Sequence, residues 1–401
     1  MPIKLLLVSV LLVVLISLAC TRAGLGVNFT GWAGPVVVDD SVYLASKKGS
    51  PRASIRGFSA FNGVEQSIRF DAGGEPLAIY GTPLVPPGSD MLFTTSVYES
   101  GGNERGRVYA VKLNDLGNIV WQFPRQGQDI MGPLFGGVAF SRATNTVYVG
   151  SADGKLYALD ASDGSPKGRG GVVLFDADSP IWGTPVVDQG TIYFGTMGGS
   201  LIGVNEGGGR AFEVKVGGAI AATPVVDDGI VYVGAFDKKF YAIVPGVQKP
   251  KWTFPAGNWF WCKAVLAQDA RVGKIIYAGS LDGKVYALDA NSGRMIWSFQ
   301  TGQGIRGAPV LASRTSGLGQ FGSLTDQVLV VGSRDEKVYG LDPISGDPVW
   351  SEPFDAGGRV LAPLIADGNV VFGANVDHDL FALDAATGRL LAGWAAALQS
   401  Q

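Results

Sequence analysis

The sequence is poor in the residues that most often carry chemistry. It contains two cysteines, Cys20 and Cys262, and one histidine, His378. So few thiols and imidazoles argue against a zinc site, and no other metal site is predicted. The chain also lacks a Gly-x-Ser-x-Gly nucleophile elbow and a Gly-x-x-x-x-Gly-Lys phosphate loop. No set of catalytic residues is therefore predicted, and Cys262 is expected to be a small apolar filler.

Charge is also scarce. Charged residues make up 17% of the chain and the formal net charge is −3, which gives no support for binding nucleic acid or an anionic membrane surface. No helical period is evident beyond the first residues. The 59 glycines, together with many Val, Tyr and Phe, instead predict short strands joined by tight turns.

The first residues are typical of an export signal. Residues 1–19 end in an apolar-rich run that is short for a membrane span. Ala19 followed by Cys20 resembles a bacterial lipoprotein cleavage site, although Ser17 stands where that pattern prefers Leu. We expect Cys20 to be lipidated and residues 20–30 to be an anchor and linker. The protein would then be held on a membrane, facing the periplasm or the cell exterior. The alternative is an ordinary secretory peptide with a chance cysteine.

The dominant feature of the chain is a unit repeated eight times. Its clearest copy, YAGSLDGKVYALDANSGRMIWSF, begins at Tyr277. Each unit predicts four short strands, with a small residue at the centre of the third. In four copies the fourth strand carries a tryptophan in register with the repeat, which favours packing between units over a ligand platform. These tryptophans are Trp121, Trp252, Trp297 and Trp350.

Eight such units predict an all-β fold, because a closed ring leaves few sheet edges exposed. We expect an eight-bladed β-propeller of four-stranded antiparallel blades, quinoprotein-like, as a single domain over residues 31–401. Either Leu25–Phe29 or Arg389–Trp394 would complete the last blade. The predicted blades span residues 31–74, 79–128, 130–179, 181–218, 220–258, 260–304, 305–358 and 359–398.

The repeat, with its Gly-Ser-x-Asp-Gly-x-x-Tyr-Ala-Leu-Asp pattern, resembles the pyrroloquinoline-quinone-type (PQQ-like) propeller repeat. Signal, length and blade count together resemble the outer-membrane assembly lipoprotein of the BamB type. This resemblance implies a non-enzymatic scaffold, expected to be monomeric, that binds envelope proteins such as a β-barrel assembly complex. It implies no cofactor. No partner-binding residue can be carried over by position.

Two other functions are kept as alternatives. Quinone-dependent dehydrogenases are similar in their repeat, and that resemblance implies PQQ and calcium. The vicinal cysteine pair of many such enzymes is absent here, and His378 lies between Asp377 and Asp379 in a predicted turn. Nearby carboxylates raise the pKa of an imidazole, which disfavours a neutral base. The second alternative is a glycan-binding surface module.

The copies differ most just before each innermost strand, where a propeller opens at one mouth of its central channel. Large side chains here predict a funnel for a peptide, a glycan or a quinone-like ring, with a simple channel plug as the alternative. The eight positions are Trp32, Tyr80, Met131, Trp182, Ala221, Trp261, Arg306 and Val360. The candidate binding residues among them are Trp32, Tyr80, Met131, Trp182, Trp261 and Arg306.

Insertions also distinguish the copies. Blade 1 is extended at Ser46–Arg56 and blade 2 at Ser96–Arg107, both on the predicted face of the channel mouth. Insertions on one face of a repeat protein commonly mark its binding face. A further insertion in blade 7, Ser313–Asp326, is expected on the opposite face.

Overall fold

The computed structural model describes residues 33–46, 53–70, 77–168, 171–315 and 323–394, with only the backbone at 67 and 68. The expected signal segment, the linker with Cys20, and the channel-mouth candidate Trp32 lie outside these residues. Within the described chain, no helix is long and apolar enough to span a bilayer.

Thirty strands form eight antiparallel sheets in the described chain, accompanied by one turn of 3-10 helix at Leu324–Asp326. In chain order the strands of blades 1 to 4 are β1 Val36–Val38, β2 Ser41–Ser46, β3 Ser54–Ser59, β4 Glu65–Phe70; β5 Met91–Ser100, β6 Asn103–Lys112, β7 Asp115–Phe123; β8 Ala139–Ser141, β9 Thr146–Gly150, β10 Lys155–Asp160, β11 Val173–Asp176; β12 Val186–Asp188, β13 Thr191–Gly195, β14 Ser200–Asn205 and β15 Arg210–Lys215. Those of blades 5 to 8 are β16 Val225–Asp227, β17 Ile230–Gly234, β18 Lys239–Ile243, β19 Trp252–Pro255; β20 Val265–Asp269, β21 Gly273–Gly279, β22 Lys284–Asp289, β23 Met295–Gln300; β24 Val310–Ser313, β25 Gln327–Gly332, β26 Lys337–Leu341, β27 Phe354–Asp355; β28 Ile365–Asp367, β29 Val370–Ala374 and β30 Leu380–Asp384.

Each blade is a meander that runs from the channel outward, so the predicted eight-bladed, all-β propeller is confirmed. Six sheets have four strands. In blade 2 the inner position is held by a bridge from Leu84 to Phe93, and in blade 8 the outer position is held by a bridge from Leu390 to Leu383. Of the two segments expected to complete the last blade, Arg389–Trp394 therefore does so.

Tryptophans join one blade to the next. The indole Nε1 of Trp297 in blade 6 donates to the backbone oxygen of Pro343 in blade 7 at 3.1 Å. The same bond is made by Trp121 to Ala161, Trp252 to Ala290, Trp350 to Ala385 and Trp394 to Ala60. The packing interpretation of the fourth-strand tryptophans is confirmed, and Trp394 is a further member that links the last blade to the first.

The small centre of the third strand makes room for an aromatic side chain of the same blade. Ala242 pairs directly with Trp252, and Ala287 pairs with Trp297. At Gly340 an added Cβ would lie 2.3 Å from the indole of Trp350. The recurrent small residue therefore follows from packing.

The aspartate of an Asp-Gly turn accepts hydrogen bonds both within its own turn and from the preceding blade. In blade 6, Asp282 Oδ1 accepts from the backbone N–H of Lys284 at 2.9 Å. Its Oδ2 accepts from the Tyr286 hydroxyl at 2.7 Å and from the backbone N–H of Gly257 at 2.8 Å. Gly257 belongs to the connection from blade 5. Each such carboxylate thus fixes the incoming segment on the face where the channel mouth opens.

Candidate binding site at the channel mouth

The segment before each innermost strand alternates between the blade interior and the channel. In blade 4, Ile181 is buried, Trp182 is half-buried and Gly183 is buried. Ile181 packs against Gly150, the last residue of β9, where an added Cβ would lie 2.3 Å from its Cγ2. Because successive residues of an extended chain point to opposite sides, seating Ile181 in the interior turns Trp182 toward the channel.

Two of the predicted mouth positions, Met131 and Val360, were wrong because the repeat copies of blades 3 and 8 were misaligned. Met131 is fully buried in the core between blades 2 and 3, and the half-buried Phe135 takes the mouth position instead. In blade 8, Val360 packs against Gly332 in the interior, and Leu361 faces the channel. The described mouth positions are Tyr80, Phe135, Trp182, Ala221, Trp261, Arg306 and Leu361.

The error in blade 3 has a simple cause. Pro133 matches the proline that opens most innermost strands, but the strand there begins at Ala139. Val138 occupies the position that proline holds in other copies. The signal that would have located the site is the buried Leu134 followed by Phe135 and two glycines, since it matches the segment around Trp182.

The mouth aromatics form an arc of closely spaced rings from blade 2 to blade 6, interrupted only by Ala221 of blade 5. The ring centroids of Tyr80 and Phe135 are 5.4 Å apart, and those of Phe135 and Trp182 are 4.9 Å apart. Trp182 and Trp261 approach to 6.5 Å across the small Ala221. These spacings fall within the range in which aromatic rings attract one another.

Phe236, a loop residue that the repeat pattern did not indicate, extends the arc beyond Trp261. Phe236, in the turn after β17, stacks on Trp261 at 4.9 Å and on Trp259 at 4.6 Å with the ring planes 9° apart. On the other side of Trp261, the Arg306 guanidinium lies 4.4 Å from its ring centroid. On blade 5 the mouth position is held by the short side chain of Ala221, and the aromatic ring comes instead from Phe236, in the turn between β17 and β18.

The arc opens into a central cavity of about 360 Å³. One step inward from the aromatic residues, its wall carries Thr82, Thr184, Thr223 and Lys263. Thr82 and Thr184 each accept a hydrogen bond from the backbone N–H of a glycine in the preceding blade, at 3.0 and 2.8 Å. These bonds make the threonines part of the ring framework.

Lys263 gives the cavity its electrostatic character. Its side chain is exposed to solvent within the channel, and partial desolvation by the surrounding wall lowers the pKa of its ammonium group. Within the described chain this ammonium makes no ion pair or hydrogen bond. The described residues that line the cavity include Arg306 as a second cation and no Asp or Glu. The arrangement can therefore hold an aromatic group and an anion.

The titratable side chains were compared with the sites that metals and nucleophiles require. No group of His, Cys, Asp and Glu there could hold a metal ion. Burial raises the pKa of the Cys262 thiol to about 12, which makes it a poor nucleophile. His378 lies in the turn between β29 and β30, outside the lining of the central cavity. Chemically, the site is suited to binding.

The insertion of blade 2 forms a long hairpin, with β5 and β6 paired as far as Ser100 and Asn103. The Tyr98 hydroxyl donates to Asp129 at 2.8 Å, and the Arg107 guanidinium lies 4.5 Å from the Tyr98 ring centroid. Burial raises the pKa of Tyr98 to about 12, so its hydroxyl remains a donor. The described part of the blade 1 insertion ends at Ser46 and resumes at residue 53.

Comparison with known proteins agrees with this architecture. The family model for outer membrane protein assembly factor BamB matches residues 104–167, 169–304 and 282–400. The crystal structure of BamB from Moraxella catarrhalis superposes with a TM-score of 0.60 at 16% identity, covering 86% of this chain and 91% of that one. The computationally designed Ika8 protein superposes with a TM-score of 0.61 at 16% identity, covering 88% of this chain and 96% of that one. No curated protein matches the chain.

The family model covers well over half of the chain, so the protein belongs to the BamB family of eight-bladed propellers. The two solved structures, at 16% identity, support the fold alone. The predicted resemblance to the PQQ-like repeat and to the BamB type is thereby confirmed.

Proposed function

We propose that this protein is an exported lipoprotein scaffold that binds partner proteins during assembly of outer-membrane or other envelope proteins. The family match carries the proposal. A ring of short strands held by interblade hydrogen bonds gives a rigid platform. Its mouth face presents half-buried aromatic side chains of the kind that anchor protein contacts.

The mouth face is the proposed contact surface, since aromatic side chains and the long blade 2 hairpin lie on it. The described tryptophans of the opposite region, such as Trp297, are instead committed to packing. We expect a β-barrel assembly complex to be the partner.

Site-specific photocrosslinking in intact cells tests both the partner and the face. Benzoylphenylalanine would replace Lys238, an exposed residue of the mouth face, or Asn291, an exposed residue of a turn on the opposite face. Capture of a barrel insertase from position 238 and not from 291 is the expected result. Capture from neither position would overturn the scaffold role, and capture from 291 alone would overturn the assigned face.

The proposed anchor is tested separately. Cys20→Ala would remove the acceptor of the lipid chains and should release the protein from the membrane fraction. Cys262→Ala is the matched control and should leave the protein membrane-bound, because that thiol is buried in the propeller. Retention of the Cys20→Ala protein on the membrane would contradict lipid anchoring.

The oxidoreductase alternative receives no support from the cavity. Calcium in proteins is held by oxygen ligands that usually include carboxylates, and the described lining has none. A dye-linked dehydrogenase assay with added PQQ and calcium addresses this alternative directly, and sustained turnover would revive it. A glycan array addresses the third function in the same way.

A further inference from the structure

We propose that the central cavity binds an aromatic carboxylate, with its ring against the arc of Phe135, Trp182 and Trp261 and its carboxylate at Lys263. The ligand is either a free aromatic acid or the carboxyl-terminal aromatic residue of a polypeptide. The two sources share one recognition chemistry, which is a single ring and a single carboxylate.

The first argument is the shape of the arc. Three of its rings, Phe135, Trp182 and Trp261, belong to blades 3, 4 and 6 and are each half-buried, so one part of each ring remains open to the channel. Ala221, whose side chain is short, lines the cavity together with the two indoles. A flat apolar group placed there would gain edge or stacking contacts with more than one ring.

The second argument is charge. Lys263 follows Trp261 by two residues in the segment before β20, and both side chains line the cavity, with the buried Cys262 between them. Its neighbours on the wall are threonines and small residues, and the described lining carries no carboxylate to neutralise it. A ligand carboxylate would supply the missing partner, and bonds between ionised groups are the strong ones.

The third argument is size. An apolar cavity of about 150 Å³ suffices for benzene, and ligand pockets begin near about 300 Å³. The cavity here, about 360 Å³, has room for one ring with a short acidic side chain and too little for a folded segment. A chain entering from the mouth would place only its last residue against Lys263.

This inference goes beyond the scaffold role and does not depend on which protein is bound. The binding measurement uses the purified full chain and no insertase, whereas the crosslinking experiment uses no small ligand. Either proposal can therefore fail without the other.

Isothermal titration calorimetry with matched ligands tests the inference. The first pair is N-acetylphenylalanine and its amide, and the second is a Gly/Ser-rich hexapeptide ending in Phe with a free or an amidated carboxyl terminus. We expect each acid to bind about ten-fold or more tightly than its amide. Tighter binding of the peptide acid than of the free acid would identify a polypeptide end as the ligand, and equal binding would identify a small aromatic acid.

Variants locate the site. Lys263→Met should remove the preference for the acid over the amide, and Lys263→Arg should restore much of it. Lys251→Met is the matched control, because Lys251 is exposed in a turn on the opposite face. Trp261→Leu should weaken the acid and the amide alike. Acid and amide binding equally to the unmodified chain, or Lys263→Met behaving like Lys251→Met, would overturn the proposal.

Discussion

Arg306 and Trp261 form a cation–π pair across the boundary between blades 7 and 6, with 4.4 Å between the guanidinium carbon and the ring centroid. Both side chains are half-buried at the mouth of the channel. The pair therefore fixes the plane of the indole that faces the cavity, and it joins two blades at the point where the proposed site is built.

A double-mutant cycle should measure this pairing. We expect Arg306→Met and Trp261→Leu to show a coupling of about 0.5–1 kcal/mol in the free energy of unfolding, determined from urea denaturation. Arg210 and Phe175, 5.2 Å apart with an exposed arginine, provide a control pair whose coupling should be smaller. Additivity at the mouth within about 0.3 kcal/mol would contradict the assignment.

Alanine substitutions at two glycines should distinguish the stability cost of backbone strain from the cost of a steric clash. Gly346 and Gly357 both have positive φ, but an added Cβ at Gly346 would lie 2.5 Å from the Trp297 ring, whereas none of the atoms around Gly357 lies within 4 Å. Gly357→Ala should cost about 1–2 kcal/mol through φ alone. Gly346→Ala should cost about 2–4 kcal/mol, because the indole must move as well. Equal urea midpoints for the two variants would show that the tryptophan contact is not tight.

The carboxylate of Asp269 should make the free energy of unfolding depend on pH in the acidic range. The backbone N–H groups of Arg271 and Leu324 and the Ser323 hydroxyl donate to this carboxylate at 2.8, 3.1 and 3.1 Å, and together they lower its pKa to about 2. The folded pKa lies below the usual 3.8, so this stabilisation is present above about pH 4 and is lost as the pH falls toward 2.

Substitution tests that assignment. Asp269→Asn should flatten the fall in the free energy of unfolding between pH 4 and 2, whereas Asp347→Asn, in an exposed turn, should leave it unchanged. An unaltered acid profile in the Asp269→Asn protein would refute the role of this carboxylate in holding Leu324 against blade 6.

Trp394, the last tryptophan of the chain, should stabilise the fold through both its hydrogen bond and its burial. Trp394 is fully buried and donates to Ala60. Trp394→Phe should lower the free energy of unfolding by about 1–2 kcal/mol, since the carbonyl loses its donor and a small cavity remains. In contrast, Trp259→Phe should change it by less than about 0.5 kcal/mol, because Trp259 is only half-buried and phenylalanine keeps an aromatic ring beside Phe236. The comparison is made by urea denaturation, and equal midpoints would contradict the prediction.

The fold was predictable because its causes are local and repeated. Alternation within strands, Asp-Gly turns and the recurring tryptophans each occur within one unit, so comparing the copies was sufficient to predict eight blades. Even the closing segment was among the two predicted, since Trp394 stands where other copies carry a packing tryptophan.

The candidate site was only partly predictable because its members are defined by neighbouring blades. Tyr80, Trp182, Trp261 and Arg306 line the cavity as expected, whereas Phe135 was hidden by a misleading proline two residues earlier. Phe236 belongs to a turn of blade 5 that meets Trp261 of blade 6 only in three dimensions. Its role could not be inferred from either copy alone.

The bond from Trp394 to Ala60 also dictates an order of events during folding. These residues are 334 positions apart, yet their blades must meet for the ring to close. A chain that emerges from its N-terminus first therefore presents blade 1 with an unpaired flank until almost every other residue has appeared. Such late, long-range contacts slow folding and leave apolar surface exposed in the interval. The segment Arg389–Trp394 thus closes the ring, and truncation that removes it would leave an open arc of blades prone to association.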